Sequence, residues 1–450
     1  MYRTHPGKAL IHQAILFIFL TAFWLLPTGS QAQHNSPMAK QFITVKDHQF
    51  IKNGQPYYFL GTNFWYGINL GMDGRQDLRD RLIRELDHLK SLGVDNLRIM
   101  AGSEGPDDAP WRMTPTLQPS PGKYNEALWK GLDFLLSEMQ KRDMVAVVCL
   151  NNFWPWSGGF AQYVNWTTGD AIHYPPPAEN GQWLRFMRYS GRFYKNQAAQ
   201  EAFREHIKVI INRTNAISGV PYKNDPTILS WQLANEPRAI PTYPAYLKWV
   251  ENTAAFIKSI DTNHLVSVGS DGNVIVPFSK KFEKEHQIKN IDYATFHLWI
   301  QNWGWYNPKK PDQTYKKALK KATKYIRKHI RITRQLNMPV VLEEFGIARD
   351  MELYQAGTAT SFRDNFYNEI FELAHRLASK GQPVAGSNFW AWAGEGRPAS
   401  SSNLWKQGDD FTGDPPFEPQ GWYSVYNSDE NTLSIIKEYA EKMKSLGNPK

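Results

Sequence analysis

Acidic residues close two apolar runs in distant parts of the chain. In ILSWQLANEP, from Ile228, Asn235 and Glu236 follow the apolar stretch and Pro237 stops it; in MPVVLEEFG, from Met338, Glu343 and Glu344 hold the same place. Carboxylates are costly in an apolar strand, so acids in this setting need partners or a task. The bland reading is a set of buried, ion-paired acids. The chemical reading is cleavage of a glycosidic bond, in which one carboxyl attacks the anomeric carbon and another protonates the leaving oxygen. Configuration is then retained if about 5–5.5 Å separates the two. Successive side chains on a strand alternate, so one of Glu343 and Glu344 faces inward, and alternation by itself does not choose.

Acids so far apart meet only if the runs that carry them share a scaffold. Eight such runs recur: YYFLGTNFWY from Tyr57, VDNLRIMA from Val94, MVAVVCLNNF from Met144, the Ile228 run, HLVSVGSDG from His264, YATFHLWI from Tyr293, the Met338 run and VAGSNFWAW from Val384. Near-continuous apolar runs mark strands buried on both faces. Between most of them lie helical patterns. Leu78–Leu92 carries Leu82, Leu86 and Leu89 on one face with Gly93 as its stop, and Asn125–Arg142, Ala198–Ile217 and Tyr246–Ile260 read similarly. The connection near Phe278–His286 has the weakest pattern. The expectation is an α/β fold, a single (β/α)8 TIM barrel with long βα loops and its working residues at the strands' C-terminal ends. A doubly wound open sheet is the alternative. FITV, from Phe42, and QFIKNGQPYY, from Gln49, predict an N-terminal hairpin cap. With no Ser/Thr/Pro-rich linker and no repeat, residues 33–450 read as one domain.

Composition narrows the field. The chain has 450 residues, and Trp, Tyr and Phe make up 14% of them. Aromatics in loops beside Gly, Asn and Asp are flat platforms on which pyranose rings can stack. The single cysteine, Cys149, excludes an internal disulfide framework and a multi-thiolate zinc site. The charge of +9 has a local source, since Lys309 to Arg334 contains eleven Lys or Arg and one acid, Asp312. Tyr315, Ala318, Leu319, Ala322, Tyr325, Ile326 and Ile330 keep an apolar stripe through the same stretch, which reads as the solvated face of the sixth barrel helix. A nucleic-acid footprint would interleave aromatics or glycines for base contact, so no nucleic-acid partner is expected.

Asp409, Asp410 and Asp414 fit no calcium-loop spacing and read as loop acids. At the start of the chain, Arg3 and Lys8 precede the apolar run Ala14–Leu26, then Pro27 and the small-x-small site Ser30-Gln31-Ala32. Residues 1–32 therefore read as a cleaved signal peptide of a secreted or periplasmic protein with no membrane attachment after cleavage; a short membrane anchor is the alternative.

The ordered set of motifs resembles a known family. NEP after the fourth run and EFG ending the seventh stand with LRIMAGSEG, NNFWPWSGGFAQYVNW, FHLWIQNWG, NFWAWAGEGRP and GDPPFEPQGWYSVY. Together, from Phe42 to about Ile436, they resemble glycoside hydrolase family 5 in its endo-β-1,4-mannanase branch. The resemblance implies a retaining, monomeric barrel enzyme acting on internal bonds of mannan, glucomannan or galactomannan, with no metal and no cofactor. Position by position, Glu236 matches the general acid/base, and Glu344, directly before the aromatic–Gly pair, matches the nucleophile, with Glu343 buried behind it. Arg98 matches the arginine that keeps the nucleophile ionised, Asn235 the residue bonding the sugar 2-OH, His297 the histidine beside the acid/base, and Trp390 the platform under the sugar.

Asn151, Trp154, Trp65, Trp303 and Glu395 fall in motifs whose counterparts line the cleft, with a packing role equally open. Trp299 stands where the family has tyrosine, so any contact of that hydroxyl with the nucleophile must come from elsewhere, from an indole N–H or another residue. A glucanase or xyloglucanase of the same family and a catalytically inactive polysaccharide-binding barrel are the alternatives. The presence of both glutamates weighs against the last.

Overall fold

A computed structural model describes residues 41–272, 280–400 and 403–447 of the protein, so the signal-peptide segment expected at 1–32 lies outside the described residues. The eight apolar runs are eight strands: β1 (Phe59–Asn63), β2 (Asn96–Met100), β3 (Val145–Cys149), β4 (Ile228–Gln232), β5 (Leu265–Ser267), β6 (Ala294–Leu298), β7 (Val340–Phe345) and β8 (Val384–Phe389). All are buried along their whole length, as their lack of polar alternation requires.

They pair in parallel in the order β5-β4-β3-β2-β1-β8-β7-β6, and the β1–β8 ladder (Phe59↔Gly386) excludes an open doubly wound sheet. At the β5–β6 seam, Asp292 bridges with both backbone and side chain: its N–H donates to the Val266 carbonyl at 2.9 Å and its carboxylate accepts the Val266 N–H at 2.7 Å. The strands thus form a (β/α)8 barrel.

Helices follow the strands: α1 (Gln76–Ser91), α2 (Glu126–Lys141), α3 (Gln197–Asn212), α4 (Tyr243–Ile260), α5 (Lys281–His286), α6 (Pro311–Leu336), α7 (Ser361–Ala378) and α8 (Glu430–Gly447). Asn125 and Asn196 cap α2 and α3 by accepting the Ala127 and Ala199 N–H groups. The third helix ends before the expected Ile217, because Asn215 turns the chain by accepting the N–H groups of Ile217 and Ser218 at 2.9 and 3.1 Å. The weak fifth pattern corresponds to a helix of six residues. In α6 the expected stripe is buried at Ala318, Ala322, Ile326 and Ile330.

Two apolar layers result. The larger lies between strands and helices. The smaller fills the barrel at its N-terminal end, where Phe59, Val145, Leu229 and Val341 meet Ile43, Phe50 and Tyr57. These last belong to the N-terminal cap, a three-stranded antiparallel sheet (Thr44–Lys46, Gln49–Lys52, Gln55–Pro56) rather than a simple hairpin. With that end plugged by apolar side chains, polar chemistry is left to the C-terminal mouth.

One backbone contact there is unusually tight. The Glu236 N–H donates to the Gly269 carbonyl at 2.9 Å. Gly269 follows β5 with φ of +79°, and a Cβ on it would lie 1.9 Å from the Ala234 carbonyl oxygen. Gly269→Ala therefore meets both a left-handed backbone and a steric clash. Thermal unfolding should show a loss of at least about 1–3 kcal/mol, with the strand-end carbonyl displaced from Glu236.

Candidate active site

Arg98 reaches inward from the middle of β2, buried to 4% exposure. Its Nε donates to Gln232 Oε1 at 2.8 Å, Nη2 to Asn235 Oδ1 at 2.8 Å and Nη1 to Asn63 Oδ1 at 3.1 Å. Nη1 also donates to Glu344 Oε1. Glu343 lies behind, its Oε2 3.4 Å from Nε. Burial opposes the guanidinium charge, yet the two glutamates outweigh it and raise the pKa above its ordinary value.

Both Glu343 and Glu344 face the barrel interior, which strict alternation forbids. The register explains it: Leu342 pairs with Phe296 and Glu344 with His297, so Glu343 is one extra residue in β7, a bulge. Glu343 accepts the Gln232 amide on both oxygens at 2.8 Å. Burial resists its charge, but Arg98 and then His297 hold its carboxyl below the usual range.

Glu236 approaches from the β4 side. Its φ of 49° puts it in the left-handed region, a strained conformation for a side-chain-bearing residue and one found at functional sites. One oxygen accepts His297 Nδ1 at 2.6 Å and the other accepts the Trp154 indole N–H at 2.7 Å. Arg238 stands 3.5 Å from that second oxygen, stacks over Trp154 at 4.8 Å and pairs with Asp271 at 2.9 Å.

His297 Nδ1 is also 3.1 Å from Glu344 Oε2. One oxygen from each of Glu236 and Glu344 and a ring nitrogen of His297 thus lie within 4.8 Å of one another. Burial opposes an imidazolium, but Glu344 and the hydrogen bond to Glu236 prevail, and the His297 pKa rises well above its ordinary value. For Glu236 burial again opposes charge, and His297, Arg238 and the Trp154 N–H outweigh it, so its carboxyl falls below the usual range. One proton is shared by the Glu236–His297 pair, with its weight on the imidazole.

Among the described residues these three are the one group close enough to hold a metal ion. Their lone pairs already accept N–H groups from Arg98, Trp154 and His297 itself. A guanidinium beside Glu344 also disfavours a second cation, so the donor set suits a proton.

A cavity of about 620 Å³ opens over this group, lined by Asn235, Glu236, Glu344, Trp154, Trp303 and Trp390 among others. Asn235 Nδ2 donates to Asn152 at 3.2 Å, and Arg98 holds its oxygen, so the amide is fixed with one N–H unassigned. Trp299 also lines the cavity, edge-on to Trp390 at 5.8 Å and against Tyr423 at 5.3 Å. The Glu344 carboxylate takes its contacts from Arg98 and His297, not from Trp299.

Three expected residues lie elsewhere. Glu395 is held by a bidentate pair with Arg84 on α1, Trp65 donates to the Gly413 carbonyl at 3.1 Å and packs on Trp156, and Asn151 accepts the Asn152 N–H at 2.8 Å. None of them lines the cavity. Asp409, Asp410 and Asp414 are loop acids, as expected, accepting backbone N–H groups of Lys406, Arg397 and Gly421.

The sequence reading missed Gln232, Asn63, Arg238 and Glu418. Gln232 and Asn63 carried a signal, being amides inside apolar runs. Glu418 lines the cavity with Oε2 buried and unpartnered. Burial first, then Asp414, Glu344 and Glu236, push its pKa well above the usual carboxyl range.

Removing Arg98 strands this network. Arg98→Leu should cost about 3–5 kcal/mol in a denaturant-unfolding comparison with the parent, because Gln232, Asn235 and two glutamates lose a buried donor.

The sequence pattern described as "GH family 5 beta-mannosidase-like" matches residues 40–448. A mannan endo-1,4-beta-mannosidase 4 from Solanum lycopersicum is 30% identical over 399 residues, covering 86% of this chain and 90% of its own length. The solved glycoside hydrolase family 5 mannosidase from Rhizomucor miehei is 41% identical, with a TM-score of 0.83, and the match covers 90% of this chain and 98% of that one. An endo-beta-1,4-mannanase from Thermotoga petrophila, 24% identical with a TM-score of 0.64 over 88% of this chain and 79% of its own, shares the fold. With two glutamates, an arginine and a histidine converging at the mouth of such a barrel, the chain belongs to glycoside hydrolase family 5, in its β-mannosidase-like group, and is a glycoside hydrolase.

Proposed function

We propose that the protein is an exported, retaining endo-β-1,4-mannanase, with Glu344 as nucleophile and Glu236 as general acid/base. The observation that carries this reading is the approach of the two carboxylates, whose nearest oxygens are within 4.8 Å. That spacing suits direct attack and leaves no room for the intervening water that inversion needs. The mannan substrate is supported by the curated relatives named for it. Export is supported by the charged and apolar stretch at residues 1–32. Among the described residues no helix is long and apolar enough to cross a membrane.

In the first step Glu344, held in place by the Arg98 N–H, attacks the anomeric carbon, and the Glu236–His297 pair gives its one proton to the leaving oxygen. The pair is then left with an ionised Glu236 and a neutral imidazole. Esterified Glu344 no longer bears charge, so the imidazolium loses a stabilising neighbour as the proton departs. Water then enters, Glu236 removes its proton, and the pair is restored as the ester is hydrolysed. The free N–H of Asn235 bonds the sugar 2-OH, Trp390 supports the ring and Trp154 holds Glu236 toward the leaving sugar. In its protonated form, which its raised pKa favours, Glu418 both donates to and accepts from a sugar hydroxyl, as an ionised carboxylate does not.

A second reading is release of mannose from chain ends. It is favoured by the mannosidase structure at 41% identity and by the wall that Leu404, Pro415, Phe417 and Trp422 build along the cavity. Early products from mannohexaose separate the two, internal cleavage giving a spread of lengths and end cleavage giving mannose alone.

Glu344→Ala should lose at least about 10⁴-fold in turnover while still binding mannohexaose. Glu236→Ala should keep most of its activity on an aryl mannoside with a good leaving group, which needs no protonation, while losing about 10²–10⁴-fold on mannan. NMR of the first-formed product should show retained configuration; inversion would overturn the assignment.

The raised His297 pKa sets a pH dependence. The pair holds its proton below that pKa and loses it as pH rises through it, so activity falls on the alkaline side. In His297→Asn the proton rests on Glu236 alone, and the alkaline limb of kcat/KM should move to lower pH. An unchanged limb would exclude His297 from the proton-holding pair.

A further inference from the structure

We propose that the outward face of α6 is a binding surface for a carboxylated polysaccharide, a polyuronate chain running beside the catalytic mouth. The segment Lys309 to Arg334, with eleven cations and one acid, more than accounts for the +9 of the whole chain, so the rest of the protein is near neutral. Along α6, Lys316, Lys320, Lys324, Arg327 and Arg331 are all exposed and lie on the side opposite the buried Ala318, Ala322 and Ile326. From Lys316 to Arg331 the row extends about 22 Å at 1.5 Å per residue, long enough for several sugar rings.

Other helices of the barrel neutralise several of their cations locally. Arg204 and Lys208 on α3 pair with Glu201 and Glu205, Lys248 on α4 with Glu251, and Lys442 on α8 with Glu438. The five cations of the α6 row make no ion pair among the described residues; Lys309, just before the helix, pairs with Glu352 at 3.4 Å. Like charges three and four positions apart repel each other. Such a row is stabilised by an external polyanion.

Aromatic placement selects the class of polyanion. Trp305 shares a surface groove with Lys316, Lys320 and Lys324, and its ring lies 5.0 Å from Trp303, which lines the catalytic cavity. The cationic row thus starts where a sugar chain leaves the cleft, beside a platform of the kind pyranose rings stack on. Eight of the segment's eleven cations are lysines, mobile point charges that can follow carboxylates spaced along a chain. The helix's apolar stripe faces the core, leaving nothing to insert into a lipid surface.

Affinity electrophoresis of the full chain through gels containing polygalacturonate or neutral galactomannan tests this. The parent should be retarded by polygalacturonate at low salt, and the effect should fade as ionic strength rises and the screening length falls below about 10 Å. The variant K316Q/K320Q/K324Q/R327Q/R331Q should lose the polygalacturonate retardation while keeping its galactomannan retardation and its hydrolysis of neutral mannan. The smaller variant K320E/K324E should show the same loss if the five-fold variant folds poorly. Absence of retardation in the parent, or equal retardation of parent and variants, would overturn the proposal. So would equal affinity for phosphatidylserine vesicles or duplex DNA at matched charge, which would mark a non-selective polycation.

Discussion

A buried guanidinium must be surrounded by acceptors or it will not stay buried. Arg98 meets that requirement with side chains from β1, β4, the β4 exit and β7, namely Asn63, Gln232, Asn235 and Glu344. The contacts that hold the inner wall of the barrel together are therefore also the contacts that orient Asn235 and Glu344, the groups proposed to act on the sugar. This arrangement makes fold and chemistry inseparable at this point. The amide of Asn235 has little freedom to turn, and Glu344 has a fixed cation against it before any sugar arrives.

The second constraint is electrostatic accounting within a space that admits few charges. Around Arg98 sit three carboxylates and one imidazole, and burial opposes charge on Glu236, Glu343 and His297. The three carboxylates carry one more charge than Arg98 and the shared proton offset, and that balance is unchanged by the proposed cycle, which deletes one negative charge by ester formation and one positive charge by proton donation. Nearby, Arg238 and Asp271 form a neutral pair over Trp154, keeping the side of Glu236 away from His297 ordered. Glu418 completes the picture as the acid whose pKa burial and these neighbours raise.

Much of this was legible in the chain. The eight strands follow from unbroken apolar runs, and the acids at the ends of the fourth and seventh announced where chemistry had to be. What the runs could not reveal depends on register and on loops. Alternation does not choose between Glu343 and Glu344; the family motif favours Glu344, and the bulge turns both inward. Glu395 and Trp65 sit in motifs as suggestive as that of Trp154, and only the path of the long loops shows that Arg84 and Gly413 occupy them. Glu418 gave no periodic signal, being one loop acid among several; its meaning comes from its neighbours in space. The cap was read as a hairpin because its third strand is just Gln55–Pro56, too short to form a pattern.

The bulge in β7 has a further implication. Before it, Val341 packs inside the barrel while Val340 and Leu342 pack outside; after it, Phe345 is again outside, against Tyr367 and Phe371 of α7 at 5.2 and 5.3 Å. The inserted residue adds an inward carboxylate without shifting the phase of the outer shell. Evolution could thus gain or revise a reactive group on that strand with the surrounding architecture left undisturbed. Such modularity at the scale of a single residue lets one scaffold support changing chemistry without being rebuilt.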